Sequence, residues 1–507
     1  MYSNLKAIVF LGFLLITMLV TAQKNRKTYN VLDFGADSSG VALSTQAIQN
    51  AIDKATKSKD GATVLLPKGT FLSGSIELKN NVELYLEEGT TLLGSTDIYQ
   101  YRKIDEGNLA LLLAKGATNF AISGSGTIDG QGRPLALAVD SLHHIGKRID
   151  PKYNTRRMRP NELARPELIN FFQCKGYTVS GITLKNSASW LQTIDQCEDV
   201  LYDGVTIFNR AYWNNDGFDI VDSKNVTVQN CNLNTADDGI CLKSHSAKHF
   251  NDSITIKNCT IRSSASAIKF GTASLGGFKN VTIDSIQVYD TFRSAIAIES
   301  VDGGVIENIK VSNILAKNTG NAIFIRLGHR SGEKPGVVRN VSISNIEVEI
   351  PFGRPDIAYD VRGPEVNFFH NPFPSSITGI PGAQVEDVRL KNITITYPGR
   401  SSKAMGYVPL SRLSQVPEEV KGYPEFSMFG ELPAYGLYVR HVKGLQMKDI
   451  TFILKEKDYR PAMVFDQVSN LQIKKVNLPS TKPEALILKE VKDVQIADEL
   501  IKRVKTY

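Results

Sequence analysis

The stretch Asn214-Asn215-Asp216-Gly217-Phe218-Asp219-Ile220-Val221 is answered 22 residues later by Ala236-Asp237-Asp238-Gly239-Ile240-Cys241-Leu242-Lys243. Each joins a small acidic cluster to a short run in which inward and outward positions alternate, as in a brief β-strand. Three further segments align with them: Ser266-Ala267-Ile268-Lys269-Phe270, Ser294-Ala295-Ile296-Ala297-Ile298 and Asn321-Ala322-Ile323-Phe324-Ile325. In each triplet the outer two residues are apolar and face a core, and the middle one faces outward. Immediately after the triplets stand Val221, Lys243, Gly271, Glu299 and Arg326.

Working outward, a phrase of apolar, polar, apolar, two polar, apolar, polar, apolar begins at Tyr177, Val200, Val226, Ile254, Val281, Ile309, Val341, Val388, Leu445 and Leu471. Successive starts lie 23, 26, 28, 27, 28, 32, 47, 57 and 26 residues apart. A period in the twenties, carried by β-branched residues with Asn or Asp at the turns, predicts an all-β solenoid of stacked parallel coils. No coil can bury its axial faces alone, so residues 23–507 are expected to form one domain. Its long gaps predict loop insertions at about 133–165, 351–385 and 397–440. Near the start, Ala47, Ile48, Ala51, Ile52 and Ala55 share a helical face, with Thr45 as N-cap. Short strands at 63–66, 69–72, 75–78 and 82–86 follow, so this helix is expected to cap the open end of the solenoid.

Of 507 residues 42% are hydrophobic and 22% charged, which excludes a disordered chain. Residues 1–22 read as a cleaved export signal: Lys6, the apolar run from Ala7 to Val20, then small residues before Gln23. A secreted or periplasmic protein follows, free of the membrane after cleavage and acting as a monomer. The five cysteines fit no zinc spacing, and their places in the repeat predict stacked interior thiols. Sequon-like triplets at Asn225, Asn251, Asn258, Asn280, Asn340 and Asn392 fall within the repeat and read as turn asparagines. The formal net charge of +7 is compatible with an anionic polymer and calls for no nucleic acid.

On stacked coils about 4.8 Å apart, Asp216, Asp237 and Asp238 fall in one patch, rimmed by Lys243, Lys269, Arg293, Glu299 and Arg326. Crowded carboxylates raise at least one pKa, so the patch can keep one acid protonated beside an ionised base. Inverting glycosidases need such a pair, with carboxyls roughly 6.5–9.5 Å apart around a water. Ordinary turns would also explain Asp-Gly, and a Ca²⁺ site would explain clustered acids. Two basic segments lie near: His143, His144, Lys147, Arg148, Lys152, Arg156, Arg157 and Arg159, and the loop Arg326, His329, Arg330 and Lys334. Trp190, Tyr212 and Trp213 offer faces for sugar stacking.

These residues resemble glycoside hydrolase family 28, the polygalacturonases and rhamnogalacturonan hydrolases. The resemblance runs through Asp33-Phe34-Gly35-Ala36, Gly69-Thr70-Phe71 with Gly74, Asn215-Asp216-Gly217-Phe218-Asp219 and Asp237-Asp238-Gly239-Ile240-Cys241-Leu242-Lys243-Ser244. It implies a single-stranded right-handed parallel β-helix, a pectin-lyase-like solenoid, and a metal-independent inverting hydrolase with no cofactor. Asp237 would be the general acid, and Asp216 and Asp238 would position and activate the water. Asn215, Asp219, Lys243, Lys269, Arg293, Glu299, Arg326, His329 and Arg330 would bind a galacturonic-acid-containing pectic glycan. The family's Gly-His-Gly is replaced by Ala265-Ser266-Ala267, and its Arg-Ile-Lys grip by Ala297-Ile298-Glu299. Attack from a chain end and a rhamnogalacturonan substrate both stay open, as do a Ca²⁺-dependent lyase on the same fold and a non-catalytic glycan-binding solenoid.

Overall fold

The computed structural model describes residues 26–105, 107–356, 373–479 and 485–507. The expected leader and the run Phe368-Phe369-His370-Asn371-Pro372 lie outside the described residues. Three strands make one coil. Glu198–Asp203, Thr206–Asn209 and Phe218–Val221 are followed by Lys224–Gln229, Asn232–Thr235 and Ile240–Ser244. Each pairs in parallel with its counterpart one coil on, with Val200 opposite Val226, Ile207 opposite Leu233 and Ile220 opposite Leu242. The expected parallel β-helix is what the chain forms.

The repeat phrase explains the core. Its first residues, Val200, Val226, Ile254, Val281, Ile309, Val341, Val388, Leu445 and Leu471, face one another in a single column. All are at most 3% exposed. Branched side chains repeating at one register fill the space between coils, and each coil supplies the burial its neighbour lacks.

At the N-terminal end the helix Thr45–Ala55 buries Ala47, Ile48, Ala51, Ile52 and Ala55, the expected face. The N-cap is Ser44 rather than Thr45. Thr45 is the first helical residue because its Oγ1 is drawn to the next coil, where it accepts the N–H of Gly74 at 2.8 Å. The Ser44 hydroxyl in turn bonds the backbone of Asp37.

Turns carry asparagines in the left-handed region. Asn280, Asn308 and Asn340 have φ of 54°, 60° and 54°. Their side chains form a ladder, Asn308 donating to Asn280 at 2.9 Å and Asn340 to Asn308 at 2.7 Å. A second ladder runs from Asn392 to Asn345 to Asn313. Asn251 is different, wholly buried and bonded to the backbone of residues 220, 223 and 243. All five cysteines are buried thiols, with Cys174 beside Cys197 and Cys231 beside Cys259 on successive coils.

The insertions share one corner. Residues 131–166 precede Glu167–Phe172, residues 210–217 precede Phe218–Val221, and residues 398–436 precede the start of Leu437–Leu454. These three strands lie in the same sheet. All three expected loops are more structured than their composition suggested, the third carrying the helix Lys403–Ser411. The first opens with the helix Gly132–His144, and the coil strand Ser375–Thr378 lies inside the segment expected as loop at 351–385, shortening that insertion to residues 350–374. No helix among the described residues is long and apolar enough to cross a membrane.

The ladder yields a stability test. Asn308→Ala loses two amide bonds and places a Cβ residue without local hydrogen bonding at positive φ, an expected loss of about 2 kcal/mol. Asn308→Gly relieves the φ strain and should lose only about 1 kcal/mol, read from urea-unfolding midpoints.

Candidate active site

The outward positions of the insertion-bearing sheet form a column: Thr193, Asp219, Cys241, Lys269, Ala297, Phe324, Ser376, Tyr438, Val464 and Ile487. Its character changes along the axis. From Ala297 onward it is largely apolar and packs with Phe373, Leu413, Phe426, Phe429 and Leu432 into a second hydrophobic cluster beneath the 398–436 insertion. Before Ala297 it is polar and charged.

Asp216 and Asp238 stand two residues before adjacent triplets, and Asp237 one place earlier. One oxygen of each of the three carboxyls lies within 4.8 Å of the others. The glycines of both motifs allow this. A Cβ on Gly217 would stand 2.4 Å from the carbonyl oxygen of Gly239, and one on Gly239 would stand 2.6 Å from that of Ala267. Asp216, Asp237 and Asp238 are 3%, 9% and 4% exposed.

Burying so many acids requires counter-charge. Lys243 sits between Asp216, at 3.4 Å, and Asp219, with its ammonium 3.4 Å from the Trp190 ring centre. Burial and the Asp219 charge push the Asp216 carboxyl well up against the pull of Lys243. Burial also pushes Asp219 up, to about 6, with Lys243 opposing.

Asp237 and Asp238 part in opposite directions. Burial would raise Asp238, but Lys269 at 3.1 Å, the Arg293 charge and the Ser266 N–H at 3.0 Å outweigh it and hold the carboxyl below its ordinary range. Asp237 accepts the N–H of Asp238 at 3.1 Å, and burial with the Asp238 charge pushes it up. Two adjacent carboxyls thus favour opposite protonation states.

The 398–436 insertion closes over this arrangement. Glu425 pairs with Arg293 at 2.9 Å, and Lys269 donates to the Tyr423 hydroxyl at 3.2 Å. Burial pushes Glu299 up to about 8 against the charge of Lys269, and raises Glu425 against Arg293. Neither Tyr423 nor Glu425 was among the expected site residues. Their only signal was an aromatic and acidic run, Tyr423-Pro424-Glu425-Phe426, in a segment without the repeat.

Asp216, Asp237, Asp238, Asp219, Lys243, Lys269, Arg293 and Glu299 therefore come together. Asn215 adjoins them but is wholly buried, giving its amide to the carbonyls of Ser187 and Ser189 and accepting from the Tyr212 N–H, so it fixes the turn. Three expected ligands are engaged elsewhere. Arg326 bonds the carbonyls of Gly379, Glu418 and Glu419 at 3.0, 2.7 and 2.9 Å, anchoring the insertion. Arg330 grips Asp302 through two bonds, and His329 lies at the surface on the carbonyl of Gly332.

The basic segment also divides. His143 stacks on Tyr153 and Arg148 bonds the carbonyl of Ala164, whereas Arg157 and Arg159 turn to the ring of Trp213 at 5.3 and 4.4 Å. Tyr212 is met by Arg165 at 5.1 Å, so all three candidate stacking rings carry a cation.

Three carboxylates this close could in principle ligate a hard cation. Here Lys243 and Lys269 already contact two of them, Asp216 and Asp238.

Comparison with known proteins agrees with this geometry. The profile of glycosyl hydrolases family 28 matches residues 57–415. A Vitis vinifera protein named "Probable polygalacturonase" is 26% identical over 337 residues, 63% of this chain and 60% of its own length. The endo-polygalacturonase of Pectobacterium carotovorum subsp. carotovorum is 26% identical over 302 residues, covering 57% of this chain and 72% of that protein. An exopolygalacturonase of Zea mays is 28% identical over 340 residues, 63% of this chain and 76% of that protein. Among solved structures, the family 28 exopolygalacturonase of Yersinia enterocolitica superposes with a TM-score of 0.60 at 18% identity, covering 93% of this chain and 78% of that one. The exopolygalacturonase of Thermotoga maritima gives 0.59 at 22%, covering 74% and 88%. With its parallel coils and paired acidic motifs, the chain belongs to family 28 of the glycosyl hydrolases and is a glycosidase.

Proposed function

We propose that the chain hydrolyses α-glycosidic bonds of a galacturonic-acid-containing pectic glycan, as a monomer exported through its N-terminal segment. The observation carrying this reading is the asymmetry of Asp237 and Asp238: Lys269 and the Ser266 N–H contact only Asp238. Asp237 keeps a proton to give to the leaving oxygen as that bond breaks. Asp238, ionised, takes a proton from the water that attacks the anomeric carbon, and Asp216 orients the same water. One oxygen of each carboxyl lies within 4.8 Å of the others, close enough to share one water. Inversion is the stereochemistry that the family resemblance implies. Walls from the 131–166 and 398–436 insertions favour attack near a chain end.

Asp237→Asn should lower kcat by about 10²- to 10⁴-fold on polygalacturonan or rhamnogalacturonan, whichever the wild type cleaves. Products should show new reducing ends with inverted anomeric configuration by NMR. An unsaturated, ultraviolet-absorbing product lost with chelator would instead identify a lyase, and binding without turnover a glycan-binding solenoid.

The rate should fall as pH drops through the lowered Asp238 value, where the base becomes protonated. It should also fall as pH rises through the raised Asp237 value, where the acid loses its proton. Lys269→Met removes a charge that lowers Asp238, so the acidic limb of kcat/KM should move to higher pH. Export predicts that the mature protein begins at Gln23, read by N-terminal sequencing.

A further inference from the structure

The cations around the three carboxyls mostly have partners. Lys243 lies on Asp216 and Asp219, Lys269 on Asp238, and Arg293 on Glu425. Arg165 gives its nitrogens to the carbonyls of Ala188 and Trp213 and to Asn214 Oδ1. Arg159 differs: it is 8% exposed, its Nη1 is buried with no hydrogen-bond partner, and among the described residues no carboxylate forms an ion pair with it.

Its position is built. Backbone bonds in both directions between Asn154 and Arg159, at 3.0 and 3.3 Å, fix the turn that carries it. Its guanidinium lies 4.4 Å from the centre of the Trp213 ring, and Arg157 stands over the same ring at 5.3 Å. Trp213 is three residues from Asp216, so the guanidinium stacked on its ring lies beside the turn that carries that carboxyl; burial and the Arg157 charge lower the Arg159 pKa, with Glu162 and then Asp237 opposing. A desolvated guanidinium beside a second one is costly, and an aromatic face offsets only part of that. The unfilled part is a planar donor fork suited to a carboxylate. Further along the axis the column offers no substitute, since Ala297 packs into the apolar cluster and Glu299 is itself an acid.

We propose that Arg159, with Arg157 beside it, binds the carboxylate of the uronate unit lying against Asp237, and so sets the preference for the free acid. The assignment rests on the hydrolase reading above. It makes the 131–166 insertion, rather than the coil strands, the element that reads substrate charge.

The test compares wild type, Arg159→Gln and Arg159→Lys on oligogalacturonates and on their methyl esters. Arg159→Gln should lower kcat/KM on the free acid roughly 10- to 100-fold, the range of one charge-assisted hydrogen-bonded pair, and leave the ester within a few-fold. Arg159→Lys should recover part of the loss. Equal losses on acid and ester, or no loss on the acid, would overturn the assignment. If the wild type cleaves neither, the pectic hydrolase reading fails, and binding of trigalacturonate decides the inference separately: affinity should drop in Arg159→Gln, and unchanged affinity overturns it.

Discussion

Parallel register is the constraint on which the site depends. Because Phe218 faces Ile240 and Ile240 faces Ile268, residues far apart in sequence are held one strand spacing apart on a common face. Asp216, Asp238 and Lys269 meet for that reason alone. Their backbones are fixed by ladder hydrogen bonds and by a core column that tolerates no slip, since a one-residue shift would turn every inward branched residue outward. The glycines at 217 and 239 belong to the same constraint, because only a residue without Cβ lets coils approach that closely at the acidic turns.

Register brings the acids together, and charge balance decides what they can do. Each buried cation is shared unequally. Lys243 serves Asp216 and Asp219, while Lys269 contacts Asp238 but not its neighbour Asp237. This unequal sharing, more than proximity, makes adjacent carboxyls favour opposite protonation states. At position 266 the serine's backbone N–H reaches Asp238, and the charges of Lys269 and Arg293 add to its hold on that carboxyl.

What was legible in the sequence is what the repeat controls. The triplets, their inward and outward members, the capping helix, the turn asparagines and the three central carboxyls all follow from period and alternation. Arg326 shows where that reading ends. It occupies the same register as Glu299, yet its guanidinium is claimed by carbonyls of residues 379, 418 and 419. Two of those carbonyls, of residues 418 and 419, belong to an insertion outside the repeat, whose path no periodicity describes. Tyr423 and Glu425 were missed for the same reason, reaching the site from more than a hundred residues beyond Lys269 and Arg293. Thr45 missed the cap by one place because an inter-coil bond competed with local capping chemistry.

That the insertions all leave from one corner has a consequence for how such proteins diversify. Two sides of the coil carry the asparagine ladders and the inward columns, which tolerate little change. The third corner can lengthen, shorten or exchange a segment without disturbing any ladder bond. Residues 131–166 and 398–436 are attachments on a fixed spindle, so a change in either alters the surroundings of the carboxyls while the coil register stays as it is.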